Sequence, residues 1–413
     1  MSRRYQTVVV WVLGIVYFIN LPGYSSVIKS GIPQVFNVYT FLLLLLPIAL
    51  RVASNRALLN TVLTNPLVYW CGAYLLIACL WFPFSGHSTI EMEVFKFRIL
   101  MVLEVAGFLL LFSEPWSAML ARRVVVIACL IAVALNLVDF GSPGLFVPLD
   151  EPGAVPGRGA GFYINANRAG GALAIGFALG MGAVNIRWRA FFAAAIFAGI
   201  AATFSRSAAI ALFVAIIITW RTGVLSLKQM VVAVLTFGVA AGLAIAGVLA
   251  DSTWTDVVDI ENVLGRLPFF SHPLEAPDFS TEDRLLAGRT GLEYLGDRPL
   301  LGHGIGSTYV WRFHVSTHNM YLYYLVEYGV VGLILFPALI WVCVRGSRPP
   351  MRPWLLAWAA ALVILGFFTH NAAEEPFFVM SYALAASLSS ISRREPLALL
   401  GVSAPKTEVT VGS

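Results

Sequence analysis

His318 stands where a polar segment meets a hydrophobic one, in the run Thr317-His318-Asn319-Met320-Tyr321-Leu322. The polar segment, residues 251–317, interrupts an otherwise apolar chain and is rich in arginine and carboxylate. Imidazole is the side chain best poised to take up a proton near neutral pH. Guanidinium groups bind phosphate oxygens through forked donors. A histidine delivered beside arginines to the mouth of a membrane span therefore points to an anionic substrate handled at the lipid–water boundary. The structural alternative for His318 is a helix-end histidine bonded to a carbonyl or a lipid headgroup.

The arginines divide into two groups. Arg3, Arg4, Arg51, Arg56, Arg122, Arg123, Arg187, Arg189, Arg221, Arg345, Arg348, Arg352, Arg393 and Arg394 fall at cytoplasmic turns or termini once the N-terminus is placed in the cytoplasm, as the positive-inside rule asks. Arg98, Arg158, Arg168, Arg206, Arg266, Arg284, Arg289, Arg298 and Arg312 fall on the outer side or at outer helix ends. Pairing with outer carboxylates such as Asp256, Asp259, Glu261, Glu282, Asp283, Glu293 and Asp297 is the plain account of these. Arg206 differs, because no acidic residue lies within a helical turn or two of it. A cation at membrane depth without a local partner is a functional candidate.

Residues 281–298 read as a helix that starts at Thr281-Glu282-Asp283 and stops before Pro299. At about 100° per residue, Arg284 shares a smooth face with Gly288, Gly291 and Leu295. Arg289 lies on another face, four residues before Glu293, in a spacing that makes an ordinary surface pair. Arg284 is thus the ligand-facing candidate and Arg289 the structural one. The glycines of Pro299-Leu300-Leu301-Gly302-His303-Gly304-Ile305-Gly306 lack the strand–helix setting of a phosphate loop, so a tight turn back to the membrane is expected, with His303 and His314 as loop histidines. In Gly161-Phe162-Tyr163-Ile164-Asn165-Ala166-Asn167-Arg168, Asn165 or Asn167 can cap a helix whose N-terminus would also favour a phosphate.

These groups must be held by membrane helices. The chain has 413 residues, 59% hydrophobic and 12% charged, where a soluble protein carries about 25% charge. The expected fold is an all-α polytopic membrane protein, since lipid obliges the backbone to satisfy itself. About twelve spans of roughly 20 residues can be drawn: 7–24, 34–50, 65–84, 96–112, 121–140, 168–186, 190–205, 207–220, 228–250, 318–344, 354–371 and 376–392. Residues 1–250 hold nine of them, 251–317 form a partly helical outer loop, 318–392 hold three, and 393–413 form a cytoplasmic tail. Basic residues at both ends of 190–220 favour two short crossings that meet near Ser205-Arg206-Ser207 over one long helix. Glycines between 169 and 184 suit close helix packing. Cys71, Cys79, Cys129 and Cys343 all lie in apolar spans, so no loop disulfide is expected. No cysteine–histidine group has zinc spacing. Glu327 is expected to pair within the bundle. His370, Glu374 and Glu375 should emerge on the outer side as candidates to line an acceptor site.

Taken together, the long outer loop, Ser205-Arg206-Ser207, Arg284, Pro299 to Gly304 and His318-Asn319-Met320-Tyr321-Leu322 resemble the O-antigen ligase and O-antigen polymerase superfamily. Gly161 to Asn167 also resembles that family's glycine/asparagine signature, with Ala166 where proline is more usual. The motifs span residues 150–345. The resemblance implies a bacterial inner-membrane glycosyltransferase with a periplasmic active site and cytoplasmic termini. It implies an undecaprenyl pyrophosphate-linked glycan as donor, the lipid A–core oligosaccharide as acceptor, surrounding membrane lipids, and no nucleic acid. It implies inversion at the anomeric carbon without metal or other cofactor. By the same resemblance, His318 is the catalytic base and Arg206 and Arg284 bind pyrophosphate. Arg158, Asn165, Asn167, Arg168, Arg289, His303, Asn319 and Tyr321 are further substrate-binding candidates. The polymerase, which joins two lipid-linked repeats, uses the same chemistry with another acceptor. A protein O-oligosaccharyltransferase commonly carries an added C-terminal region. A transporter would usually place its longest loop centrally between repeated halves, whereas here that loop is off-centre. A scaffold without chemistry leaves His318 and Arg206 unexplained.

Overall fold

The computed structural model describes residues 3–28, 34–148, 157–250, 279–311, 317–369 and 372–395, which are helical or loop with no strand among them. Helices α1 (Arg3–Phe18) and α2 (Leu21–Val27) form a pair bent by 52°. Next come α3 (Gln34–Ser54), a short α4 (Arg56–Leu63), α5 (Pro66–Trp81), α6 (Thr89–Leu111) and α7 (Pro115–Gly141). The middle of the chain contributes α8 (Ala166–Gly180), α9 (Arg189–Thr203), α10 (Arg206–Arg221) and α11 (Leu227–Ala250). The rest is α12 (Phe279–Asp297), a single turn α13 (Ser307–Val310), α14 (Met320–Tyr328), α15 (Gly332–Val344), α16 (Arg352–Gly366) and α17 (Pro376–Arg394).

Each segment expected as a span is helical over most of its length. Among the described residues, Val35–Ser54, Pro66–Phe84, Pro115–Gly141, Ile186–Thr203 and Met320–Val344 are long and apolar enough to cross a membrane singly, and the bent α1–α2 pair would make another. The chain is a multi-pass helical membrane protein. The break expected near Ser205 is present: α9 ends at Phe204 in the left-handed region and α10 begins after Ser205. The chain reverses there, because Arg189 at the start of α9 donates to the Val224 carbonyl, beyond the end of α10, at 3.0 Å. Arg122 is not in a loop as the charge pattern suggested. It lies inside α7, is 1% exposed, and donates to the Leu179 carbonyl at 2.9 Å, near the negative end of α8.

α8 and α17 are the most deeply enclosed helices, and glycines let the neighbours of α8 close in. A Cβ on Gly170 would lie 2.7 Å from Ala208 on α10, and one on Gly176 would strike Phe18 on α1. The cysteines are free thiols, with Cys71, Cys129 and Cys343 buried.

Within the single span Met320–Val344 the α-helical bonding is interrupted at Gly329, which has φ +61°. The break frees carbonyls, and the Pro299–Gly306 turn satisfies them. His303 N–H donates to the Val326 carbonyl at 2.9 Å and Gly304 N–H to that of Glu327 at 3.0 Å, while the Pro299 carbonyl accepts from Val330 N–H at 3.0 Å. Gly302 and Gly304 take positive φ with backbone within 2.6 Å of where a Cβ would stand, so no larger residue fits. The turn is the tight return expected of it.

Beneath this turn lies a buried ion pair. Arg98 on α6 donates to Glu327 Oε2 on α14 at 2.6 Å, and both side chains are 0% exposed. Arg98 also donates to the hydroxyls of Tyr74 and Tyr323. Four tyrosine rings, of Tyr74, Tyr323, Tyr324 and Tyr328, lie 5.3–5.7 Å from its guanidinium carbon, within cation–π range. Glu327 Oε1 accepts from Gly306 N–H at 2.8 Å, tying the glycine turn to the pair. Removing one partner strands the other charge in a dry site. Arg98→Met or Glu327→Ala should therefore each cost about 3–5 kcal/mol, read as a lower midpoint in thermal unfolding of the detergent-solubilised protein.

Candidate functional site

Three bends use non-glycine residues in the left-handed region: Ile164 (φ 67°), Phe204 (φ 47°) and His318 (φ 47°). Such residues are uncommon and gather at functional sites. Each comes just before a helix with a polar cap. Asn165 Oδ1 accepts from Asn167 N–H at 2.9 Å at the start of α8. Ser205 Oγ accepts from Ala208 N–H at 3.4 Å at the start of α10. Asn319 Oδ1 accepts from the N–H groups of Tyr321 and Leu322 at 3.0 and 3.1 Å at the start of α14.

These helix starts meet at one cleft. Asn165, Asn167 and Arg168 line it from α8, Ser207 from α10, and His318 from the residue before the α14 cap. Leu365, Phe368 and Phe378 form its apolar side. The starts of α8 and α10, whose dipole ends are positive, thus share one space with a guanidinium and with the imidazole that precedes the α14 cap.

The supports of the cleft are buried. Arg158, 8% exposed, donates to the Thr203 carbonyl and to Asn167 Oδ1, both at 2.8 Å. It clamps the α9–α10 reversal to the start of α8. Asp139 on α7 accepts from the N–H groups of Ala160 and Gly161 at 2.8 and 3.0 Å. Arg168 pairs with Glu375 at 3.1 Å. Its neighbour Glu374 lies 3.6 Å from Arg98. Adjacent glutamates therefore join the cleft arginine to the buried one. Arg98 and Arg168 do pair with carboxylates as expected, and among the described residues their partners are Glu327, Glu374 and Glu375.

The sequence candidates divide accordingly. His318, Asn165, Asn167 and Arg168 come together in the cleft. Arg206, half-buried, is the first residue of α10 beside Ser207, and it is not isolated there. Arg158 and Asn319 are clamp and cap. Tyr321 donates to the Val363 carbonyl at 3.0 Å and packs on Phe336 and Phe367. His303 Nε2 bonds the Tyr294 carbonyl at 2.7 Å, away from the cleft. Arg284 and Arg289 both lie on α12, as the helix over 281–298 anticipated, with Arg289 exposed. The smooth face does part of its work in packing, since Gly291 receives Leu322 of α14. The side chain of Arg284, and Arg266, Arg312, His314, His370 and the tail from 396, lie outside the described residues. Ser207, Phe378 and the Arg98 network were not anticipated.

Residues 190–337 match the O-antigen ligase family. That stretch is similar to the domain of O-antigen ligases. The match covers about a third of the chain and includes Arg206, Arg284, His318 and Glu327. The α8 side of the cleft, with Asn165, Asn167 and Arg168, and the Glu374–Glu375 pair lie outside it. No curated protein matches the chain significantly.

Burial raises the Glu375 carboxyl above its ordinary range, and the Arg168 guanidinium opposes that rise. The pair exists while Glu375 is ionised, so it is present above that raised pKa and lost as pH falls through it. Arg168→Gln removes the opposing charge. Infrared titration, with Glu375→Gln to assign the band, should show the Glu375 carboxyl protonating at a higher pH in Arg168→Gln than in the wild type.

Proposed function

We propose that this protein is an O-antigen ligase of the bacterial inner membrane. In this role it moves a glycan from undecaprenyl pyrophosphate to the lipid A–core oligosaccharide. The observation that carries the proposal is the meeting of the α8 and α10 starts, Arg168 and His318 at one cleft, in a chain whose 190–337 stretch matches the O-antigen ligase family. The topology that goes with it has twelve crossings, cytoplasmic termini and a periplasmic cleft.

The sugar–pyrophosphate bond is already activated, so its leaving group needs charge neutralisation more than protonation. Arg206 and Arg284, with Arg168 and the helix N-termini, bind the pyrophosphate oxygens and act most strongly as negative charge builds in a dry site. His318 takes the proton of the acceptor hydroxyl. The hydroxyl oxygen bonds to the anomeric carbon from the face opposite the pyrophosphate. The anomeric C–O bond breaks, its electron pair leaves with undecaprenyl pyrophosphate, and the configuration inverts. The left-handed backbone at His318 and the Asn319 cap fix where the imidazole starts. No resident metal or cofactor enters this chemistry.

The test is transfer by purified protein in detergent with a chelator, supplied with lipid-linked glycan and lipid A–core. Glycan should appear on lipid A–core. His318→Ala should lower the rate by about 10²–10⁴, and Arg206→Ala or Arg168→Ala by about 10²–10³, with folding intact by gel filtration. Longer lipid-linked chains without transfer to lipid A would instead identify a polymerase. Transfer to neither acceptor would overturn the enzymatic proposal.

A further inference from the structure

A second cavity, of about 230 Å³, lies behind the cleft. Its walls come from α2, α3, α6, the turn before α17, and Tyr309 of α13. Arg168 and Glu375 line it, and Arg168 also lines the cleft, so the Arg168–Glu375 ion pair stands at the boundary between the two spaces.

The two spaces differ in charge. The cleft offers Arg168, His318 and helix N-termini. The second cavity offers Glu104, Glu374 and Glu375, with Arg168, already paired, as its one cation among the described residues. A pyrophosphate would be repelled there. Two of the carboxylates are held in place. Glu104, 7% exposed, accepts from the Tyr17 hydroxyl at 2.8 Å, and Glu374 sits 3.6 Å from Arg98. Fixed carboxylates accept hydrogen bonds from hydroxyls without first losing side-chain freedom. Phe97, Leu100 and Met101 supply an apolar wall of the kind that packs on the C–H face of a sugar ring. The volume falls just below the roughly 300 Å³ at which ligand pockets begin, which suits one sugar residue better than a chain. Ser26 and Val27, both exposed, mark its mouth at the end of α2.

We infer that this cavity binds the acceptor as a neutral, hydroxyl-bearing sugar carried on a lipid, and that the Arg168–Glu375 pair marks where its attacking hydroxyl meets the donor's anomeric carbon. The inference rests on the proposed transferase activity for its choice of ligand. It assigns donor and acceptor to separate spaces sorted by charge.

Binding is measured on the full chain in detergent, with lipid A–core and no donor, and separately with the lipid-linked glycan and no acceptor. Ser26→Trp narrows the mouth from an exposed position. Glu104→Gln keeps the shape and the bond from Tyr17 but removes the charge, and serves if the tryptophan variant fails to fold. The expected result is acceptor affinity weakened about ten-fold or more, the scale of one hydrogen bond to a charged group, with donor affinity kept within about two-fold. Wild type that does not bind lipid A–core, variants that bind it unchanged, or equal losses for both ligands would overturn the inference. Acceptor binding with the expected losses but no glycan transfer would uphold the cavity and overturn the enzymatic proposal instead.

Discussion

A guanidinium enclosed in a helical bundle needs polar partners, and Arg98 finds them in Glu327, Glu374 and the tyrosine cage. Such an arrangement is an inefficient way to gain stability, because the desolvation of both charges is costly. Its value lies in registration. The partners of Arg98 come from α5, α14 and the turn before α17, so one side chain on α6 sets four parts of the chain against each other. Through Glu327 it fixes the glycine turn. Through Glu374 and the adjacent Glu375 it fixes Arg168, the cation of the cleft.

The other half of the design is backbone. Helices that stop short inside a membrane protein expose polar groups, and these can be closed off or put to use. Both outcomes occur here. At Gly329 the freed carbonyls are closed off by the Pro299–Gly306 turn. At Ile164, Phe204 and His318 left-handed bends instead lead into helix starts, with Asn165, Ser207 and His318 lining a shared cleft. Caps from Asn165, Ser205 and Asn319 satisfy part of the first-turn N–H groups, and the dipole remains available to an anion. Electrostatics then separates a cationic cleft from an acidic cavity with one ion pair between them.

Much of this was legible in the sequence because strong local rules act there. Apolar runs located the helices, and basic pairs at both ends of 190–220 exposed the α9–α10 reversal, since a single helix would not have demanded both. The α8 asparagines and His318 announced themselves as polar residues at apolar boundaries, and Asn165 proved to be the cap. What was not legible depends on contacts between distant residues. Arg98 and Glu327 are 229 positions apart, and no periodicity links them. A partial signal existed: Tyr323, Tyr324, Glu327 and Tyr328 share one face of α14 at helical spacing, an unusual polar stripe for a membrane helix. Arg158, Asn319 and Tyr321 are substrate-binding candidates by position, and the structure adds that they also form a clamp, a cap and a packing contact. Sequence position alone could not separate these roles.

The central claim is that the buried Arg98 network is there to position the cleft more than to add stability. The most direct measurement is glycan transfer by the double variant Arg98→Met with Glu327→Leu, which removes both charges of the pair together and leaves Glu374 free to take up a proton. The account predicts a protein that unfolds close to the wild-type midpoint, or above it, as apolar replacements of buried pairs often do. It also predicts transfer reduced by at least about ten-fold, because Gly306 and Glu374 lose the partners that fix the turn and Arg168. A double variant that folds and transfers glycan at the wild-type rate would contradict it.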